Sequence, residues 1–456
     1  MSIQSFYFVT LTHSKWEDAL AFAKRLPPEA TAELRLDLFP NNDPKEMVTA
    51  LNRKCLVSCR RIEDGGNWHK TERERLAHLI SGIDGRPSWV DLEWDLEIPA
   101  IFDRYASHVN LLRSVHVKDE IFDLEWRLGN LPNGDAFKWV GKATRLTDNL
   151  KIKKTLGIAK DMGLNISAFM TGPKGILSRC MQAAWGGSFT YAHPDNAPPV
   201  ISGQISLGNM MSWHCHHLSS NCKLYGVIGH PITHSLGPNY HNQRFQKLHK
   251  NILYLPLDCC DAEEAKNAIE SIGLLGVSVT TPLKSLLPIK LGLRGPVNTL
   301  WRESPGKPWK GTNTDYVALN TVLNSLPAGP VLILGDGSVA RITQKAILHR
   351  GWPYLVQSRK KPVSLNLIRN LKPIGIIQAT SLGMHKNDPI PFADALTATM
   401  SSIQWGIEWI YKENTAFAKW IVKNGCNLIS GIKLFELQAT KQSDIFLDIV
   451  SNDIIN

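Results

Sequence analysis

No apolar run in this 456-residue chain approaches the ~18 residues of a membrane span, so an integral membrane protein is not expected. Clustered charge is lacking too. Lys and Arg number 51 against 41 Asp and Glu, a net charge of +10, but the basic residues are spread along the chain rather than gathered in blocks. A nucleic-acid partner is therefore not expected, and anionic small substrates or a phosphorylated cofactor account for the surplus as well. The eight cysteines form no CxxC pair and no dense framework, which reads as reduced thiols in a cytosolic protein. The first positive residue is Lys15, so the N-terminus lacks the basic start of a signal or transit peptide, and a cytoplasmic location is expected. Short internal repeats and low-complexity segments do not stand out.

What is present suits a globular protein with a sizeable core: 43% hydrophobic residues and 20% charged. The length allows about three domains at roughly 150 residues each, although single α/β barrels of about 250 residues soften that count. His214, Cys215, His216 and His217 with Cys222 read either as a metal site or as a polar linker. No zinc-type spacing frames them, so a linker and no metal are expected.

The two halves differ. Up to about residue 210, short β-branched or aromatic runs begin at Phe6, Ala32, Cys55, Ser88, His108, Ala136, Asn165 and Ser188. Between them lie stretches such as KTERERLAHLI and NLKIKKTLGIAKDMG that can carry amphipathic helices. Eight strands with helical crossovers predict a (β/α)₈ barrel rather than an open sheet. Ser212 to Lys223 is polar and aperiodic, a linker pattern, and a new βα series starts with KLYGVIG.

Near Val331 the order is strand, glycine turn, helix, strand. Gly335, Gly337 and Ala340 form a G-x-G-x-x-A turn with Ser338 inside it, suited to a pyrophosphate at a helix N-terminus. At the end of the next strand, where an acidic residue would hold a free ribose hydroxyl, stand Ser358, Arg359, Lys360 and Lys361. Those residues suit a 2′-phosphate, so NADP is expected; the plainer alternative is a solvated basic loop.

GVIGHPITHSLGPNYHN (226–242), GVSVTTPLK (276–284), PVNTL (296–300), GTNTD (311–315), ATSLGM (379–384), Tyr411 with Thr415, and GIKLFELQ (431–438) occur in order. Together they resemble shikimate dehydrogenase over about residues 223–456. The resemblance implies a substrate lobe at about 223–325 plus the C-terminal helix, and an NADP lobe at about 326–430. It makes Lys284 and Asp315 the catalytic pair, and Ser235, Thr280, Asn298, Tyr411 and Gln438 substrate-binding residues. A lysine beside a carboxylate can supply the proton that ketone reduction needs. Gly237, Ser278, Gln378, Glu408 and Ser338 depart from the family's usual residues, which bears on affinity and leaves quinate as an alternative substrate.

In the first half, ELRLDLF (33–39), CRRIEDGG (59–66), SVH (114–116), FKWVGKA (137–143), LSR (177–179) and SGQ (202–204) lie near the C-terminal ends of the expected strands. They resemble type I 3-dehydroquinate dehydratase, a lysine-imine barrel, over about residues 5–210. The resemblance implies His116 as the proton-transfer residue and Lys138 as the imine lysine, with Lys142 on the same strand face as the alternative. It also implies that Glu33, Arg35, Arg60, Arg179 and Gln204 bind the carboxylate and hydroxyls of the substrate. Asp64 stands where the family has glutamate, and Val200 where it has serine. Asp91 and Glu93 carry no assignment.

The two reactions are consecutive, so the expectation is one bifunctional enzyme: a barrel over 1–211, a linker over 212–222, and an NADP-linked reductase over 223–456. The alternatives are a catabolic quinate dehydrogenase and a degenerate pair acting as a binding protein. The partners expected are the small substrates 3-dehydroquinate and 3-dehydroshikimate; the oligomeric state stays open.

Overall fold

The computed structural model describes residues 5–105, 107–117, 124–232, 234–295 and 297–448. Its first eight strands are β1 (Tyr7–Thr10), β2 (Ala30–Arg35), β3 (Cys55–Ser58), β4 (Trp89–Glu93), β5 (Asn110–His116), β6 (Ala136–Lys142), β7 (Ile166–Thr171) and β8 (Thr190–Ala192). They form one parallel ladder in the order β7-β6-β5-β4-β3-β2-β1-β8, a nearly closed barrel. All eight expected strands are present.

Inward-facing residues at alternate positions explain the barrel. Phe8, Leu56, Trp89, Leu112, Ala136, Phe169, Phe189 and Tyr191 belong to one buried apolar cluster. One step further along the strands the inward positions turn polar: Thr10, Glu33, Ser58, Asp91, Ser114 and Lys138 are buried. The register aligns Ser58 with Asp91 and Ser114 with Lys138, so these groups share one level. β2 is shorter than the eight-residue run that starts at Ala32. It stops at Arg35 because that guanidinium turns onto Asp37 at 2.5 Å and the chain enters a 3₁₀ turn over Leu36–Leu38. The outer helix Glu72–Asp84 is fixed by a capping box. Thr71 accepts from the Glu74 N–H, and the Glu74 carboxylate accepts from the Thr71 N–H.

By contact density the chain forms two compact units, residues 1–293 with 302–308, and residues 294–301 with 309–456. The first joins the barrel to the parallel strands β9 (Lys223–Gly229), β10 (Ile252–Asp258) and β11 (Gly276–Val279), in the order β10-β9-β11. Glu264 ties this part to the barrel, receiving Lys174 Nζ at 2.8 Å and the Leu146 N–H at 3.3 Å. The aperiodic stretch between them contains a 3₁₀ turn, Cys215–His217, anchored where Tyr7 Oη meets His216 Nδ1 at 2.8 Å.

The second unit has an antiparallel pair, β12 (Thr299–Trp301) and β13 (Lys310–Thr312), and a parallel sheet. That sheet runs β15-β14-β16-β17-β18, with β14 (Val331–Leu334), β15 (Tyr354–Gln357), β16 (Gly375–Gln378), β17 (Trp405–Glu408) and β18 (Asn427–Ile429). Strand order reverses between β14 and β16, which sets a ligand crevice beyond the carboxyl end of β14. Among the described residues no helix is long and apolar enough to cross a membrane.

Candidate active sites

The barrel holds a cavity of about 120 Å³, lined by Glu33, Arg35, Arg60, Asp64, His116, Lys138, Arg179, Tyr191, Val200 and Gln204 among others. Every site residue expected in the first half lines it. Lys142 does not: it is exposed at the tip of β6, whereas Lys138 is 3% exposed. Four residues of strand separate a solvated lysine from a buried one.

Lys138 donates to Asp91 Oδ2 at 2.7 Å and lies 3.9 Å from Glu33 Oε1. Burial pushes its ammonium below the ordinary value, with Arg60 adding to that and Asp91 and Glu33 opposing it. Burial also works against the Asp91 carboxylate, but Arg60 and Lys138 outweigh it and hold Asp91 down at about 2. Arg60 is committed to the same network, donating to Asp91 at 2.5 Å and to Ser114 Oγ at 2.7 Å. Glu33 accepts from Thr10 at 2.5 Å and from Ser58 at 3.3 Å.

His116 is part-buried, and its Nδ1 has no partner among the described residues. Burial and the charges of Arg60, Lys138, Arg35 and Arg179 push its pKa well below the ordinary value, so the ring is neutral at pH 7. Arg35 is held by Asp37 in a two-pronged pair. Arg179 differs: it is 2% exposed, its guanidinium stacks 4.2 Å over Phe169, and that guanidinium has no ion pair or hydrogen bond among the described residues. Gln204 reaches the Ala192 carbonyl at 3.1 Å. Ser202, two residues beyond Val200, is exposed and does not line the cavity.

Asp91 and Tyr191 are among the lining or contacting groups without an assignment from the sequence. The alternation Trp89, Asp91, Glu93 marks Asp91 as inward-facing, but its 47-residue reach to Lys138 is visible only in the fold.

The reductase residues divide between the compact units, with Ser235, Thr280 and Lys284 in the first and Asn298, Asp315, Tyr411 and Gln438 in the second. In the first, Ser235 Oγ accepts from the Gly237 N–H at 3.2 Å. Thr280 packs so closely on Gly229 that a Cβ there would sit 2.4 Å from its methyl. In the second, Thr314 is the hub. Its N–H donates to Asn298 Oδ1 at 2.8 Å and its hydroxyl to Gln438 Oε1 at 3.2 Å, which brings Asn298, Asp315 and Gln438 together on buried positions. Tyr411 is exposed as a residue, but enclosure of its phenol group, with the Asp315 carboxylate adding to it, pushes that phenol above its ordinary range.

At the carboxyl end of β14, Gly335 has φ +110°, and a Cβ there would meet the Ala379 carbonyl at 2.8 Å. A Cβ at Gly337 would meet nothing within 4 Å, leaving open space at the start of the helix Ser338–His349. Ala340 is fully buried under that turn. Ser358 is buried, and its hydroxyl accepts from the Lys361 N–H at 3.0 Å, closing a tight turn that leaves Arg359 and Lys360 exposed. An open backbone cradle at a helix N-terminus, with a cationic turn beyond the neighbouring strand, fits a dinucleotide carrying an extra phosphate. Among the described residues no group of three His, Cys, Asp or Glu is arranged to hold a metal.

A buried lysine with a neutral histidine in a barrel, followed by a glycine-turn nucleotide fold, defines an imine-forming enzyme coupled to a nucleotide-linked dehydrogenase. Family comparison agrees. Residues 7–213 match the type I 3-dehydroquinase family, and residues 227–289 the shikimate dehydrogenase substrate binding domain. The chain thus carries one region similar to each of these two families. It is 22% identical to the chloroplastic bifunctional 3-dehydroquinate dehydratase/shikimate dehydrogenase of Arabidopsis thaliana, covering 91% of this chain and 77% of that protein. With the shikimate biosynthesis protein AroDE of Chlamydia muridarum the identity is 26%, over 78% and 77%. The NADP(+) shikimate dehydrogenase of Microcystis aeruginosa is 39% identical over 29% of this chain, spanning about half, 51%, of its own length. A solved structure, the dehydroquinate dehydratase and shikimate dehydrogenase from S. pombe AroM, overlaps 98% of this chain and 96% of its own at 17% identity and a TM-score of 0.41.

Proposed function

We infer that the barrel dehydrates 3-dehydroquinate to 3-dehydroshikimate through a lysine imine, and that the second half reduces 3-dehydroshikimate to shikimate with NADPH. The observation that carries the first step is Arg179, a buried guanidinium without an anion, in the same cavity as Lys138 and His116. A buried unpaired cation is costly, and a substrate carboxylate offsets that cost.

Lys138, its ammonium weakened by burial, loses a proton and its amine attacks the substrate ketone. Water leaves and a protonated imine remains, an electron sink that acidifies the adjacent carbon. Neutral His116 removes that carbon's proton. The surrounding cations make the imidazolium costly, so it readily returns the proton to the departing hydroxyl. Glu33, Arg35, Arg60 and Gln204 hold the remaining oxygens, and hydrolysis frees Lys138.

In the reductase, NADPH supplies the hydride when bound. The catalytic pair proposed is Lys284 and Asp315, with Lys284 giving the proton to the developing alkoxide. Ser235, Thr280, Asn298, Tyr411 and Gln438 hold the substrate's carboxylate and hydroxyls. Gly335, Gly337, Ser338 and Ala340 shape the pyrophosphate cradle, Ser358 shapes the basic turn, and Arg359 takes the 2′-phosphate. The functional boundaries proposed are a barrel over 1–211 and a reductase over 223–456, acting in the cytosol on small anionic substrates. The test is coupled turnover: 3-dehydroquinate and NADPH together should yield shikimate with stoichiometric NADPH oxidation. Failure to oxidise NADPH with 3-dehydroquinate, while 3-dehydroshikimate works, would remove the dehydratase assignment.

A further inference from the structure

The barrel cavity contains an aromatic ring that the scheme above does not use. Tyr191 enters from β8, and Lys138 Nζ lies over its ring, 4.5 Å from the centroid. The ring is fixed by neighbours: Phe8 stacks on it at 5.6 Å, while Phe169 and Phe189 meet it at 5.9 and 6.1 Å. Its hydroxyl is buried and has no hydrogen-bond partner among the described residues, so no such bond accounts for the placement of this side chain.

We propose that Tyr191 is a positioning residue of the dehydratase site, whose π face stabilises the positive charge on the Lys138 nitrogen before and after imine formation. The proposal rests on the dehydratase reading above. An aromatic face attracts a cation through its quadrupole, and more strongly where water is excluded. The chemistry sharpens the point. An ammonium has three N–H donors. When the free amine adds to the ketone and the carbonyl oxygen departs as water, the resulting protonated imine keeps a single N–H. Asp91, which anchors the ammonium through a hydrogen bond at 2.7 Å, can then hold the cation through that donor alone. A π face needs no donor, so its attraction persists as the hydrogen bonds fall away, at the stage when the cation must act as the electron sink.

The test uses the full chain with phenylalanine or 4-cyanophenylalanine at position 191. The two rings are close in shape, but the cyano group withdraws electron density from the face. With 3-dehydroquinate, Tyr191→Phe should keep kcat within about two-fold. The cyano variant should lose about ten-fold in kcat at little-changed KM. It should also give less borohydride-trapped adduct at Lys138, with the acid limb of trapping moved to lower pH because the resting ammonium loses the same support. Far-ultraviolet circular dichroism of the two variants should coincide, which keeps the comparison independent of folding. Equal kcat, trapping and pH limb in the two variants would overturn the proposal. So would a phenylalanine variant as impaired as the cyano one, which would transfer the role to the hydroxyl. Absence of any Lys138 adduct in the unmodified protein would instead remove the dehydratase reading on which the proposal stands.

Discussion

Lys138 Nζ and Asp91 Oδ2 lie 2.7 Å apart inside the barrel, on strands β6 and β4, with both side chains almost wholly buried. The pair solves one problem and creates another. It keeps a buried ammonium satisfied in the resting protein, yet under the proposed imine mechanism the amine must shed its proton to react. Burial and Arg60 supply the opposing push.

Borohydride reduction with 3-dehydroquinate should therefore trap an adduct at Lys138, located by peptide mapping. Exposed Lys142 should stay unlabelled. Lys138→Met should abolish dehydration and leave NADPH-linked reduction of 3-dehydroshikimate intact, whereas Lys284→Ala should do the reverse. Loss of both activities from either substitution, in a folded protein, would contradict separate sites.

Asp91→Asn removes the carboxylate that supports the Lys138 ammonium. Unpairing a buried ion pair costs about 3–5 kcal/mol, so denaturant unfolding at neutral pH should show a loss of that order. With Glu33 left as the opposing charge, the lysine should titrate at lower pH, and trapping should extend to more acidic solutions. An unchanged pH profile would mean that Asp91 does not set the lysine's proton affinity.

His116 is held neutral by burial and four cations. Its folded pKa lies below the unfolded value of about 6.5, so the unfolded chain binds the extra proton first as pH falls. The contribution to stability is therefore complete above about 6.5 and is lost as pH drops below it. His116→Asn should abolish dehydration, and between pH 7.5 and 5.5 its stability should decline less than that of the unmodified protein. Parallel declines, measured by urea unfolding, would argue that the ring is not held neutral.

Glu408 carries the opposite sign. Burial raises its carboxyl to about 7 against the opposing bond from Thr415. A raised carboxyl pKa favours the folded state at low pH, and that advantage is lost as pH rises from the unfolded value of about 4.3 towards 7. Glu408→Gln should therefore stabilise the protein at pH 8 relative to pH 5, by about 1–3 kcal/mol after allowance for relaxation. A stability difference independent of pH would overturn this assignment.

Arg359 stands exposed on the turn that Ser358 closes, without an acidic neighbour among Ser358, Lys360 and Lys361. A charge-assisted bond to a 2′-phosphate contributes about 1.5–3 kcal/mol, roughly ten- to hundred-fold in affinity. NADPH should be preferred over NADH, and Arg359→Ala should erode most of that preference by weakening NADPH. Equal catalytic efficiency with the two cofactors would make this an ordinary surface arginine.

The alternating runs and the glycine turn were legible in the sequence because alternation and turn chemistry are local properties, whereas the count of eight strands and the choice of residues at their carboxyl ends leaned on the family resemblance. The string Ala32–Phe39 continues its alternation past the end of β2, because the bond that ends the strand, Arg35 to Asp37, depends on side-chain geometry. The linker is aperiodic as a sequence, because the tie between Tyr7 and His216 that organises part of it spans 209 residues.

The sequence by itself determined which residue types stand at the strand ends and in what order, and hence the chemistry available. The tertiary structure decided which of them are buried and which are left without partners. Lys138 and Lys142 point the same way on one strand, and only the depth of the barrel makes one a buried amine beside Asp91 and the other a solvated charge. Arg179 stands in the sequence only as part of a short LSR match; the fold is what encloses it without a carboxylate partner among the described residues. Desolvation and distance between strands far apart in the chain set these differences, and neither is a property of any local stretch of sequence.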